Sequence, residues 1–415
     1  MNPTDRPLEP PDDAVPPSGG QELSAANLAA LQEEILRQEK IRKQEEVLTE
    51  EEIFRREEFL RKEKILKQEA DLRKREYFRQ EEILRMEEEE PRLALQKLKV
   101  RELFDRGVPF FTKPAIKKLK DQLDTIKSMA ESGRPTDGQK FVFSSITGQT
   151  VERSVLKNLT QSVQFGKEKV LYSDQALCPL QICYGGHEEQ NHSSLKDTRD
   201  AFHSYRGTWE ASEDCRRLKS SMAAAASLPG ITKIIAFACS SMSRDDAYTR
   251  HRSATQHALI LTLRDLLQAS QPGVQIKCLA QDPVYTEVDR AVLAEVGVTV
   301  VDDPQGFLEV DDQSVVLSFS PNVCVRQVIT DLARPVVLAW DTVLTEEQTV
   351  AHWAAAYELP HKGSRSAEDV EARLCDPESS RVRTMVREEY VQVENLDTED
   401  FGDVSVYIRC DGRRT

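Results

Sequence analysis

The sequence predicts an α/β body, a mainly parallel sheet with helices on both faces, preceded by a long charged α-helical arm. Three observations carry this. Between residues 171 and 345, short continuous apolar runs alternate with helical stretches, the pattern of parallel strands covered on both sides. Between 24 and 90 the chain instead repeats a charged hexad. With 31% charged residues, only 6% aromatic ones and a negative mean hydropathy, the chain is too polar for a single core, so an extended segment must accompany the body.

The 415 residues allow two or three domains. A formal net charge of −15 argues against nucleic acid as a partner, because phosphate binding needs a positive surface. No apolar run approaches the ~20 residues of a membrane span; "MAAAASLPGITKIIAFA" is broken by Pro229, Gly230 and Lys233. The opening "MNPTDRPLEPPDDAVPP" lacks the apolar segment of a secretory signal. Eight cysteines are scattered without a CxxC pair, as reduced thiols would be. The expected location is cytoplasmic or nuclear, with no membrane contact.

Residues 1–23, rich in Pro, Asp, Gly and Ser, read as disordered. From Glu33 the arm repeats EEILRQ, EKIRKQ, EEVLTE, EEIFRR and so on, with a period of six. Six helical residues turn the pattern by about 120° from one repeat to the next. The apolar residues therefore fall on three stripes and never form the single seam of a coiled coil. Glu precedes Arg or Lys by four in pairs such as Glu33/Arg37, Glu51/Arg55, Glu57/Arg61 and Glu63/Lys67. Each pair contributes roughly 0.2–0.5 kcal/mol, enough together to support a solitary helix. The arm reads as a semi-rigid spacer, with two alternatives open: three stripes that each meet a protein partner, or an oligomeric coil.

Residues 91–170 read as a connector packing on the body, with two amphipathic helices split by "DRGVPFFTKP" and a strand at "KFVFSSITG". In the body, strands are expected at 180–185, 232–238, 274–280, 298–302, 314–320 and 335–340. Helices are expected near 211–227, after the 232 strand, at 285–296 and at "NVCVRQVITDLA". This is a Rossmann-like arrangement. Residues 346–415 read as a C-terminal extension in which "DVSVYIRC" adds an edge strand. Ligands of such sheets sit beyond the carboxyl ends of the strands, where the order reverses. The residues expected there are Cys239, Ser240, Ser241, Ser243 and Arg244, then Gln281 and Asp282, then Ser320, Pro321 and Asn322, and Asp341.

"ITKIIAFACSSMSR", the stretch from "AQDPVYTEVDR" to "SFSPNVCVRQVITDL", and "ARPVVLAWDTV" together resemble the sensitivity-to-red-light-reduced (SRR-like) domain in its fungal form. The resemblance is strongest over 230–342 and weaker over 91–229. It implies a regulatory protein without an established reaction, with links to circadian and light responses and to haem biosynthesis. The matching motif is Asp282-Pro283 with Tyr285 and Asp289, plus Ser320-Pro321-Asn322. Where many relatives have Gly-Leu-Gly-Ser, this chain has Ala238, Cys239, Ser240 and Ser241. Side chains at the two glycine positions are expected to restrict positive φ and to keep a phosphate at a distance. The hydroxyls of Ser240 and Ser241 remain available as donors.

Asp282 follows a strand as a ribose-holding carboxylate would, but lies about 40 residues beyond the loop rather than about 20. Its other reading is a cap for the helix at 285–296, with Pro283 at the entry. Cys183, His187 and His192 have uneven spacing and two intervening glycines, so no metal is expected. His257, in an apolar helix, reads as a buried histidine satisfied by a neighbour. No Gly-x-Ser-x-Gly elbow, Walker loop or HExxH occurs. The leading expectation is a non-enzymatic regulatory or interaction protein with a protein partner and no cofactor. A nucleotide- or S-adenosylmethionine-like ligand at the sheet edge and a scaffold dominated by the arm are the alternatives.

Residues 24–90 expressed alone should be helical by circular dichroism and mainly monomeric by ultracentrifugation. A concentration-dependent dimer would show that the hexads make a seam after all.

Overall fold

A computed structural model describes residues 29–43, 55, 62, 95, 98–136, 138–155, 160–165, 178–185, 192–222, 230–356, 374–396 and 398–410. The chain divides into two units, Met1–Glu89 and Glu90–Thr415. In the first, residues 29–43 are helical, with Leu31, Ile35, Leu36 and Ile41 exposed. The expected disordered segment 1–23 and, apart from the helical Arg55 and Lys62, the hexads after residue 43 lie outside the described residues.

The second unit opens with a helix at 98–105 and α1 (Lys113–Glu131), separated by the expected turn. The Thr112 hydroxyl accepts from the Ala115 amide and Pro114 sits in the first turn, both features of a helix start. Two antiparallel hairpins follow, β1 (Lys140–Ser144) with β2 (Thr150–Ser154), and β3 (Thr160–Phe165) with β4 (Leu180–Gly185). The strand at 180–185 thus belongs to a separate two-stranded sheet and not to the parallel body. Its apolar run signals burial and says nothing of which strand it pairs with.

The next helix, α2 (Leu195–Ala211), buries only Thr198, Phe202 and Trp209. So narrow a stripe on a charged segment is why periodicity overlooked it. α3 (Glu213–Ser221) lies within the helix expected at 211–227, of which residues 223–227 lie outside the described residues. Then comes the alternating core: β5 (Lys233–Phe237), α4 (Ala247–Ser270), β6 (Lys277–Gln281), α5 (Glu287–Glu295), β7 (Val298–Val300), α6 (Gln305–Glu309), β8 (Ser314–Ser318), α7 (Val325–Leu332) and β9 (Val337–Asp341). α8 (Glu346–Ala356), α9 (Ser380–Glu389), β10 (Tyr390–Asn395) and β11 (Val404–Arg409) complete the chain.

The result is an α/β fold with a mixed, mostly parallel seven-stranded sheet, in the order β10-β11-β9-β8-β5-β6-β7. β5 through β9 run parallel. Alternate strand residues feed two cores. Ile234, Ala236, Val315 and Leu317 meet α2, α3, α4 and α5 on one face. Ile235, Phe237, Val316 and Trp340 meet α1, α6, α7 and α9 on the other. The segment after residue 345 is no appendage: β11 lies between β9 and β10, antiparallel to both, and β10 is the edge. "DVSVYIRC" is therefore an interior strand, as the burial of Val404 through Ile408 requires.

Truncation after Glu389 would remove β10 and β11 and strip the cover from Val337 and Ala339. Such a chain should lose its cooperative urea transition, read by circular dichroism. A retained sharp transition would mean that the sheet closes without them.

Candidate functional site

The strand order reverses between β5 and β8, since β6 and β7 extend to one side and β8 and β9 to the other. That is where a parallel sheet opens a crevice. Here a cleft of about 490 Å³ lies between the loops after β5, β6 and β8. Its apolar lining includes Phe237, Phe307, Phe319 and Val325, and the rings of Phe237 and Phe307 stack with centroids 4.5 Å apart. Gln281 helps to hold this side together. Its side-chain oxygen accepts from the Gly306 amide at 2.5 Å, and its amide donates to Asp303 at 2.9 Å. A Cβ at residue 306 would stand 2.7 Å from that oxygen, so any larger residue there would have to displace the Gln281 side chain and its bonds.

The loops are bent where side chains resist bending. Ala238 and Ser240 both have φ of 58°, and Ser320 has φ of 49°. The side chains at the two glycine positions are expected to restrict positive φ, yet both residues adopt it. Each such residue costs about 1–2 kcal/mol, and the surrounding bonds hold it. The Ala238 amide donates to the Gln281 carbonyl at 3.2 Å. The Ser240 amide donates to Asp282 Oδ2 at 2.8 Å, and the Ser253 hydroxyl donates to the Ser240 carbonyl at 3.0 Å.

Asp282 is not the helix cap. α5 begins with a capping box of Thr286 and Asp289. Asp282 instead accepts the Ser240 amide on one oxygen and the Val284 amide on the other, at 3.1 Å, so it clamps two loops together. Burial pushes its pKa above the usual carboxylate range. Asp289, fully buried, does more. It accepts from the Met242 amide (2.8 Å), the Ser243 amide (3.1 Å), the Ser241 hydroxyl (2.7 Å) and the Thr286 amide (2.8 Å).

The predicted residues therefore divide. Ser240, Asp282, Pro283, Ser320, Pro321 and Asn322 line the one cleft. The Ser241 and Ser243 hydroxyls are spent below it on Asp289 and on each other, and Ser243 also meets His192 Nδ1 at 3.2 Å. His187 lies outside the described residues. Tyr285 is buried with its hydroxyl 2.7 Å from His257 Nε2, while His257 Nδ1 lies 2.6 Å from the Ser253 carbonyl. Burial lowers the His257 pKa to about 4, so the ring is neutral: Nδ1–H donates to the carbonyl and Nε2 accepts from the tyrosine. Burial also pushes the Cys239 thiol far up. Neither offers the cleft a base or a nucleophile.

Residues that the motif reading missed come from α4. Thr249, Arg252, Ser253 and Gln256 line the cleft at i, i+3, i+4 and i+7, a polar stripe visible in the sequence. Arg252 Nε donates to the Asp400 carbonyl at 3.3 Å, and Gln256 donates to the same oxygen at 2.7 Å. The guanidinium also packs on the Tyr248 ring, 5.5 Å from its centroid. Asp400 lies in the β10–β11 connection, so the C-terminal segment orients a cleft residue. A wider hollow of about 730 Å³ at the opposite end of the sheet is a structural joint: Arg381 covers the Phe104 ring at 3.9 Å and pairs with Asp331 at 3.0 Å.

Residues 210–408 match the SRR1 domain, so the chain carries an SRR1 domain that begins at the end of α2 and runs into β11. The match reaches well beyond the 230–342 of the strongest resemblance and takes in the segment after 345 that the resemblance left out. No curated protein and no solved structure matches the chain.

Asp289→Ala would leave the Met242 and Thr286 amides without their acceptor and the Ser243 amide with the Ser241 hydroxyl alone. Urea denaturation should show a loss of at least about 2 kcal/mol, since each buried orphan costs roughly 1–3. A loss below 1 kcal/mol would mean that the loop does not depend on this carboxylate.

Proposed function

We propose that this protein is a non-enzymatic regulatory protein whose SRR1 domain binds a small ligand in the cleft at the strand switch point. The observation that carries the reading is the placement of strain. Ala238, Ser240 and Ser320, non-glycine residues with positive φ, all border this one cleft. Such conformations persist only where surrounding structure enforces them, and they concentrate at binding and switching sites. The cleft volume, about 490 Å³, lies within the range of small-molecule sites.

Regulation rather than catalysis is supported by how the reactive groups are used. His257 is held between Ser253 and Tyr285, the Cys239 thiol is buried, and Asp289 is consumed by backbone amides and hydroxyls. All three serve to fix the cleft wall. The exposed Leu31, Ile35, Leu36 and Ile41 on the helix at 29–43 support a protein partner for the arm.

Thermal denaturation of the full chain against nucleotides, S-adenosylmethionine and haem tests the reading. A ligand at 100 times its Kd stabilises by about 2.7 kcal/mol, so at least one compound should raise the midpoint by several degrees. Asn322→Trp, at an exposed rim position, should abolish the rise without lowering the unliganded midpoint. A flat response across the panel would defeat the proposal.

A further inference from the structure

We infer that the cleft takes a phosphate monoester with a planar, largely apolar body, of mononucleotide size, its phosphate held by Arg252 together with Arg244. This rests on the ligand-binding reading above and adds a chemical class to it.

Arg252 is the leading observation. It is half-buried and lines the cleft, yet among the described residues no carboxylate lies within 4 Å of it. The chain carries 71 acidic against 56 basic residues, and Arg199, Arg206, Arg290, Arg326, Arg334 and Arg381 each lie that close to an acid. Its direct contacts are instead neutral, the Asp400 carbonyl at Nε and the Tyr248 ring, while the Asp400 carboxylate, which feels the Arg252 charge, lies 3.2 Å from His251 Nδ1. The direct contacts fix the guanidinium plane and leave its terminal nitrogens for an anion. A planar fork of this kind binds phosphate bidentately.

Arg244 lines the same cleft and is paired only loosely, 3.6 Å from Asp246. Arg250 has donors of its own in contact with the Arg244 and Asp245 carbonyls and the Ser193 hydroxyl, so it pins the backbone that carries Arg244. The carboxylates that border the cleft are engaged: Asp282 by two backbone amides, Asp303 by the Gln281 amide.

Two features select a monoester over a dinucleotide. Ala238 and Ser240 keep the left-handed curl but carry Cβ atoms where a pyrophosphate would need bare backbone. The anion is thereby displaced outward, toward the guanidinium groups. A cleft of about 490 Å³ also falls in the lower part of the range for ligand sites. The Phe237, Phe307 and Phe319 rings then offer a flat apolar group its contacts.

Calorimetric titration of the full chain with AMP, GMP, CMP, UMP and pyridoxal phosphate, each beside its dephosphorylated counterpart and beside inorganic phosphate, decides the matter. At least one ester should bind roughly 10- to 100-fold tighter than its counterpart, the range that charge-assisted hydrogen bonds support. It should also bind more tightly than inorganic phosphate. Arg252→Ala should remove that difference and leave the dephosphorylated compound's affinity unchanged, while Arg252→Lys should restore part of it. Arg387→Ala, which removes an exposed charge elsewhere, should change nothing. If Arg252→Ala fails to fold, the Arg252→Lys and Arg244→Ala losses serve in its place. Equal affinity within every pair, inorganic phosphate binding as tightly as every ester, the absence of binding at millimolar concentration, or indifference to both arginine substitutions would each overturn the inference. If S-adenosylmethionine or haem stabilises the chain while no phosphate pair differs, the ligand-binding cleft stands and only the anionic class falls.

Discussion

The cleft depends on one buried carboxylate. Asp289 sits on the first turn of α5, and its two oxygens collect the Met242 and Ser243 amides and the Ser241 hydroxyl from the loop after β5, together with the Thr286 amide of its own helix. A loop forced into positive φ at two non-glycine positions has every local reason to relax. Hydrogen bonds to a charged acceptor are worth roughly 1.5–3 kcal/mol each, so the convergence on Asp289 outweighs the local strain. Asp282 adds the second fastening, one step nearer the cleft, by joining Ser240 to Val284. What glycine would achieve through backbone freedom, this loop achieves through enclosure.

The same logic extends to the C-terminal segment, which closes the molecule at two places. Arg326, nearly inaccessible to solvent at the start of α7, meets Asp376 at 3.3 Å and Glu378 at 3.2 Å, and its guanidinium also donates to the Asp376 carbonyl. Burial pushes the Asp376 carboxyl up to about 7, against the pull of Arg326. Breaking a buried pair of this kind leaves an uncompensated charge and is strongly destabilising, so residues 374–379 are held firmly. Farther on, the β10–β11 connection supplies Asp400, whose carbonyl orients Arg252 and Gln256. The segment thus builds the sheet edge and one wall of the cleft at once.

Much of this was legible in the sequence. The runs that became β5, β6, β8 and β9 announce a doubly covered sheet because each is apolar at successive positions, and the rim loops follow from the direction of the strands. Partner choice was not legible. "LQICYG" and "DVSVYIRC" carry the same apolar signal as the parallel strands, but one joins a separate hairpin and the other an interior antiparallel position. Nor could spacing separate Ser240, on the cleft, from Ser241 and Ser243, beneath it. Side-chain direction in an irregular loop is set by its acceptors, and Asp289 lies nearly fifty residues along the chain from Ser241. The α4 stripe was in plain view, but it acquires meaning only when Asp400, almost 150 residues away, comes to Arg252.

Ser320 shows why the cleft and the C-terminal clamp are mechanically one object. It lies between them, at the end of β8, with φ of 49°. Nearby at the end of β9, the Asp341 carboxyl is pushed upward by burial, and its backbone carbonyl accepts from the Arg326 guanidinium at 3.2 Å. Ser320, Pro321 and Asn322 form a wall common to the cleft and to the hollow over Arg326. A group seated against that wall therefore presses on a strained residue that lines the same hollow as the Arg326 cluster. Packed interiors answer such pressure by switching between discrete arrangements rather than by bending gradually. On the regulatory reading proposed above, that property would come from one short loop standing between the cleft and a buried set of charges.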